Sequence, residues 1–145
     1  MNRLAIHPGS GSRNKNWPLV HWAELLGELM PAFAEVLLIS GEADREIFEA
    51  VRPLIPAMKL RVCANGSLWD LVSELSRATL FIGHDSGVTH VAAATGVTTV
   101  ALFGPTDPTI WAPNGHHVTV ITSPDRTMAG LSVETVLGKV APVRR

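Results

Sequence analysis

Short apolar runs alternate along this chain with stretches in which apolar residues recur at helical spacing. R-L-A-I-H (3–7), E-V-L-L-I-S (35–40), K-L-R-V-C (59–63), T-L-F-I-G (79–83), T-T-V-A-L-F-G (98–104) and H-V-T-V-I (117–121) read as six strands. A first helix starts near Pro18, a residue suited to a first turn, and runs to about Met30 with Leu19, Trp22, Leu25, Leu26 and Leu29 on one face. A second covers about 43–52 and is ended by Pro53 and Pro56. N-G-S (65–67) is a turn whose Ser67 can cap a third helix from Leu68 to Ser76. A fourth ends at Gly96, and Ser132 to Val140 makes a short last one. The segment G-P-T-D-P-T-I-W-A-P-N-G (104–115) holds too many prolines for long regular structure. This βαβ succession predicts an α/β fold with a doubly wound, Rossmann-like parallel sheet. In such sheets ligands bind beyond the carboxyl ends of the strands, near the switch in strand order.

Polar, glycine-rich segments follow the strands, so the topology gathers them on one rim. In H-P-G-S-G-S-R-N-K-N-W-P, Gly9 and Gly11 let backbone N–H groups approach an anion. Ser10 and Ser12 add hydroxyl donors, and Arg13 and Lys15 bring positive charge to a helix start. The spacing is neither G-x-x-x-x-G-K-[ST] nor G-x-G-x-x-G, so a solvated loop is the plain alternative. In H-D-S-G-V-T-H (84–90), Asp85 or Ser86 caps a helix whose first turn holds Gly87 and whose positive end favours an anion. After the fifth strand, Gly104 and Pro105 turn the chain, Thr106 and Asp107 supply polar groups, and Trp111 offers an aromatic face. In S-G-E-A-D, Glu42 or Asp44 stands where an acid commonly holds ribose hydroxyls, or complements a helix dipole and nothing more.

Other chemistries compete for the second segment. A hydrolase elbow, G-x-S-x-G, would make Asp85 the nucleophile between Gly83 and Gly87, and His90 approaches Ser86 unfavourably from the same helix. His84, Asp85 and His90 are metal-ligating types, but the spacing is not H-E-x-x-H and Cys63 has no second cysteine beside it. The plainest reading makes Asp85 a cap and His90 a satisfied, partly buried histidine.

Composition narrows the picture. A chain of 145 residues, 46% hydrophobic, suits one core rather than two. A formal net charge of -1 argues against sequence-independent nucleic-acid binding. One cysteine precludes an internal disulfide and fits a reducing, cytoplasmic setting. No apolar run approaches the ~20 residues of a membrane span, and M-N-R-L-A-I-H is too short for a signal peptide. The strand beginning at residue 3 suggests half of something larger.

Three motifs in order, K-x-W-P at Lys15 to Pro18, D-S-G-x-x-H at Asp85 to His90 and F-G-P-T at Phe103 to Thr106, resemble the carboxyl-terminal domain of glycosyltransferase family 9, the heptosyltransferases of lipopolysaccharide core synthesis. The resemblance spans nearly the whole chain. It implies one half of a GT-B architecture, with residues 1–145 as the nucleotide-sugar (donor) domain and the acceptor domain, which carries the catalytic carboxylate, absent. Lys15 would neutralise the diphosphate, with Ser10, Gly11 and Ser12 around its oxygens. Asp85 would accept hydrogen bonds from sugar hydroxyls, Ser86 and Gly87 would present N–H groups to phosphate, and His90 would brace the turn. Lys15 and Asp85 are the expected catalytic pair, Asp44 the expected ribose ligand, and neither cofactor nor metal is required. The implied partners are a nucleoside diphosphate sugar, ADP-heptose or a relative, and a lipopolysaccharide core acceptor reached through the other domain at the inner face of the inner membrane. A nucleotide-binding module without activity is the rival. Thr98, where the family commonly has proline, and T-S-P-D-R-T-M (122–128), without the cysteines often found there, depart from the pattern. The rim turned to the other domain should leave Trp111 and Trp17 exposed, a face that could also pair two copies.

Overall fold

A computed structural model describes residues 2–41 and 43–140. Six parallel strands form one sheet: β1 (Arg3–Ile6), β2 (Glu35–Ser40), β3 (Leu60–Ala64), β4 (Leu80–His84), β5 (Thr98–Phe103) and β6 (Val118–Thr122), in the order β3-β2-β1-β4-β5-β6. The chain switches direction of travel between β1 and β4, where Ile6 pairs with Ile82 and the His7 N–H donates to the Ile82 carbonyl at 3.1 Å. Both strands are buried along their length because helices cover both faces, and their sequences are accordingly apolar rather than alternating.

One face packs α1 (Leu19–Leu29), α2 (Arg45–Val51) and α6 (Val133–Val140) onto Leu4, Ile6, Leu38, Ile82 and Leu102. The other packs α3 (Leu68–Leu75) and α4 (Gly87–Thr95) onto Ala5, Leu37 and Phe81. Ser67 and Asp70 form a reciprocal capping box that starts α3, and Gly96, at φ 87°, ends α4 in the left-handed conformation. A four-residue helix, α5 (Pro108–Trp111), interrupts the proline-rich loop; Asp107 caps it by accepting from the Thr109 N–H. Leu19, expected on the buried face of α1, is 39% exposed, because it is the first residue of the helix and lies at the open rim.

Away from that rim, buried Arg3 donates to Glu35 at 2.7 Å and to Glu74 at 2.9 Å, and Arg61 makes two further bonds to Glu74. Three strands and α3 are thereby fastened at the end of the sheet opposite the polar loops.

Candidate functional site

The β1–α1 loop is held by Trp17. Its ring is fully buried against Trp22, its Nε1–H donates to the Leu131 carbonyl at 2.8 Å, and Pro18 then occupies the cap position of α1. The expectation that Trp17 lies exposed is therefore corrected. The tryptophan of K-N-W-P anchors the loop to the core, so that Lys15, two residues earlier, is presented from a fixed base. Ser10 is also corrected: it is 6% exposed, and its hydroxyl reaches the Ser12 carbonyl at 2.6 Å and Asn16 Oδ1 at 2.7 Å, which engages it inside the loop. Ser12 is engaged in the same way, its N–H donating to Ser10 Oγ at 3.2 Å and its hydroxyl to Asn14 Oδ1, whereas Gly11 stays at the surface, where an added Cβ would meet nothing within 4 Å among the described residues. Arg13 pairs with Glu46 at 2.5 Å, so Lys15 is the loop cation that faces the neighbouring segment.

That segment follows β4. Lys15 Nζ lies 3.4 Å from Asp85 Oδ2, with the Lys15 side chain 31% and the Asp85 side chain 11% exposed. Ser86 occupies the cap position of α4 without using its side chain there, so among the described residues the first N–H groups of the helix have no capping side-chain oxygen. A Cβ on Gly87 would again meet nothing within 4 Å. A cation, a carboxylate and open helix N–H groups thus meet where a loop from β1 and a loop from β4 face each other. His90 does something other than expected. It is exposed, and its Nε2 bonds the Trp111 carbonyl at 2.8 Å, bracing α5 rather than the Asp85 turn.

Asp44 needs a larger correction. Its carboxylate is 6% exposed and accepts from Ser40 Oγ (2.8 Å), the Gly41 N–H (2.9 Å) and His7 Nε2 (2.5 Å). With both oxygens taken inside the protein, it orients His7 instead of meeting a ribose. Burial pushes the Asp44 carboxyl up, but the hydrogen bond and charge of His7, with Ser40 and Gly41, hold its pKa below the ordinary value. On the other side of the ring, His7 Nδ1 is 3.4 Å from Ser86 Oγ. Asp44, His7 and Ser86 therefore form a line across three strand ends that fixes the start of α4. Glu42, the other acid considered for ribose, lies outside the described residues.

The remaining alternatives separate geometrically. The histidine beside Ser86 is His7, itself 2% exposed, and His90 turns away from it, so the Ser86–His90 pairing does not form. His84 points into the core and His90 outward, and no group of three or more His, Cys, Asp or Glu is placed to hold a metal among the described residues. In the third loop, Trp111 is 54% exposed and the hydroxyl of Thr106 is buried without a partner among the described residues.

Two histidines have roles that their places in the sequence do not reveal. His7 was assigned to a strand end and its line to Asp44 spans separate loops. His84 is fully buried and bonded to both Gly9 and Trp17. Burial pushes the His84 pKa down to about 3, with the Gly9 bond opposing and nearby His7 assisting, so its ring is neutral.

A family model described as glycosyltransferase family 9 (heptosyltransferase) matches residues 2–141. Among curated proteins, the chain is 32% identical over 111 residues to lipopolysaccharide heptosyltransferase 2 of Escherichia coli, covering 74% of this chain and 32% of that protein. It is 29% identical over 127 residues to lipopolysaccharide heptosyltransferase 1 of Salmonella typhimurium, covering 88% and 40%. The structure of E. coli ADP-heptose LPS heptosyltransferase II superposes with TM-score 0.85 at 26% identity, covering 99% of this chain and 46% of that one. E. coli heptosyltransferase WaaC with ADP shares the fold at TM-score 0.86 and 23% identity, covering 98% and 44%. The chain thus spans less than half the length of these relatives. Among the described residues no helix is long and apolar enough to cross a membrane.

Proposed function

The chain belongs to glycosyltransferase family 9, and from that premise we propose that residues 1–145 are the donor-binding domain of a heptosyltransferase-like enzyme of GT-B architecture. The enzyme would move a sugar from a nucleoside diphosphate sugar, ADP-heptose in the first place, to a lipopolysaccharide core acceptor. The observation that carries this reading is the facing of Lys15 and Asp85 across the uncapped start of α4. The likeness to the 26% identical E. coli ADP-heptose LPS heptosyltransferase II supports the donor. The acceptor and the general base belong to a second domain beyond these residues, and the whole enzyme works at the inner face of the inner membrane.

In this mechanism, cleavage of the bond from the sugar to the diphosphate leaves negative charge on the departing phosphate. Lys15 and the N–H groups of Ser86 and Gly87 stabilise that charge where it develops. Gly11 lines the same approach with its backbone N–H. An entering diphosphate draws the Lys15 ammonium from Asp85, and the freed carboxylate accepts hydrogen bonds from sugar hydroxyls. A cavity of about 180 Å³ beyond β2 and β3, lined by Gly41, Cys63, Asn65 and Val88, receives the nucleoside.

Calorimetric titration with ADP and with ADP-heptose tests the assignment. Lys15→Ala should weaken both ligands by ~1.5–3 kcal/mol through loss of a charge-assisted contact. Asp85→Asn should leave ADP unchanged or tighter, because Lys15 loses its internal partner, while weakening ADP-heptose. Equal losses for both ligands in Asp85→Asn would make the acid a loop support and remove it from sugar recognition.

A further inference from the structure

The side chain at the end of β4 touches the diphosphate loop at both of its ends. His84 Nε2 is 3.0 Å from the Trp17 backbone N–H, and His84 Nδ1 is 3.1 Å from the Gly9 carbonyl. A backbone N–H can only donate and a carbonyl can only accept, so the two bonds select one tautomer: Nδ1 carries the hydrogen and Nε2 presents its lone pair. The ring is fully buried and stands edge-on to Trp22 at 5.7 Å between centroids, so the protein interior, and not solvent, fixes its orientation. Gly9 also lies close against the neighbouring loop, where an added Cβ would fall 2.2 Å from Asp44 Cβ. Between the two clasped residues lie Ser10 to Asn16, including Lys15, and the residue after His84 is the Asp85 that pairs with Lys15. Two consecutive residues, the last of β4 and the one that follows it, therefore hold the loop at three points.

We infer that His84 is a positioning residue: its neutral ring clasps Gly9 and Trp17 and thereby sets where Lys15 stands relative to the start of α4. The inference rests on the reading of this loop as the diphosphate site. It deepens that reading by assigning the cation's placement to a residue that touches no ligand. A displaced lysine loses transition-state and ground-state contacts together, since the ammonium must meet phosphate oxygens at hydrogen-bond distance.

Three substitutions dissect the clasp. His84→Asn retains a donor near the Nδ1 position for Gly9, His84→Gln retains an acceptor near the Nε2 position for Trp17, and His84→Leu retains neither. Amide hydrogen exchange at Trp17 should accelerate in His84→Leu and His84→Asn and stay close to native in His84→Gln. The ADP dissociation constant of the 145-residue chain should rise about tenfold in His84→Leu and less in the two amide variants. In a Lys15→Ala background, His84→Leu should cost almost nothing further, because the residue acts through Lys15. Equal ADP losses for His84→Leu with and without Lys15 would overturn the positioning role, as would native Trp17 exchange in all three variants. Should His84→Leu fail to fold, the Asn and Gln variants give the same cycle with Lys15→Ala. If the native chain shows no saturable ADP binding while Trp17 exchange responds as expected, the clasp exists but holds no diphosphate site, and both the donor-site reading and the positioning role fall. If ADP binds and exchange does not respond, the positioning role alone falls.

Discussion

Acidification should destabilise this protein well before its carboxylates titrate, and His84 is the cause. Its ring is fully buried and its pKa is pushed down to about 3, against 6.5 for an unperturbed histidine. In the unfolded chain the ring takes a proton as pH falls through 6.5; in the folded chain it does not until about pH 3. The unfolded state therefore binds more protons throughout that interval, and stability, complete above pH 6.5, falls as pH falls. Worked from those two values, the loss is about 2 kcal/mol at pH 5 and about 3 kcal/mol at pH 4, relative to pH 7.5. Asp44 and Glu74 have depressed pKa values, so their contributions are present above the ordinary carboxylate range and disappear only below it, which leaves pH 5 to 6.5 to the histidine. Urea unfolding midpoints, measured at half-unit steps from pH 4.5 to 8 for the native chain and for His84→Gln, isolate the effect because the other five histidines are common to both. His84→Gln should be the less stable at pH 7.5 and should close the gap by about 2 kcal/mol at pH 5. Parallel curves would mean that folded His84 protonates freely, and the neutral clasp between Gly9 and Trp17 would have to be abandoned.

Further outcomes follow from the packing. Trp17→Ala removes a fully buried ring and its bond to the Leu131 carbonyl and should cost ~3–5 kcal/mol in chemical denaturation, with Trp17→Phe costing less. Ser67→Ala breaks the capping box of α3 and should cost ~1 kcal/mol without altering ADP affinity. Gly9→Ala drives a methyl group into Asp44 and should both destabilise the fold by ~1–3 kcal/mol and weaken ADP, separating it from Gly11→Ala, which has open space and should leave stability unchanged. ADP-heptose at a hundred times its dissociation constant should add ~2.7 kcal/mol to the unfolding free energy, and a panel of ADP-, GDP- and UDP-sugars ranked by thermal shift reports the preferred base.

The architecture was readable because its signals are local. Apolar runs of strand length, Ser67 before a helix with Asp70 three residues on, and Gly96 after the last turn of α4 each announce their element within a few residues, and the observed boundaries differ from the expected ones by one or two positions. The meeting of Lys15 with Asp85 follows from the same order of elements, because the loops after β1 and β4 leave neighbouring strands on one rim. What could not be read was which polar groups the protein uses on itself. Ser10 and Asp44 have the chemistry of ligand contacts, yet Asn16 and His7 satisfy them, and those pairings depend on how neighbouring strands align. Trp17 sits among polar residues and so suggests exposure, although its indole is the anchor of the loop. His84 stands beside Asp85, and only the turn of β4 sends one side chain inward to the core and the next to the rim.

The position of β1 has a consequence for how the chain is made. Synthesis delivers β1, β2 and β3 first, and they can associate as a three-stranded unit with α1 and α2 on one side. Throughout that interval the other edge of β1 carries unsatisfied backbone groups, because its second neighbour, β4, pairs Leu80 with Leu4 only much later in the chain. That apolar edge is the point at which a nascent or heat-opened chain is most open to a wrong strand. Closure by β4 covers that edge and brings the clasp of Gly9 and Trp17, the partner of Lys15 and the start of α4 together, while the Leu131 carbonyl that anchors the Trp17 indole follows only after β6. A chain arrested before β4 would hold its β1–α1 loop without the His84 clasp.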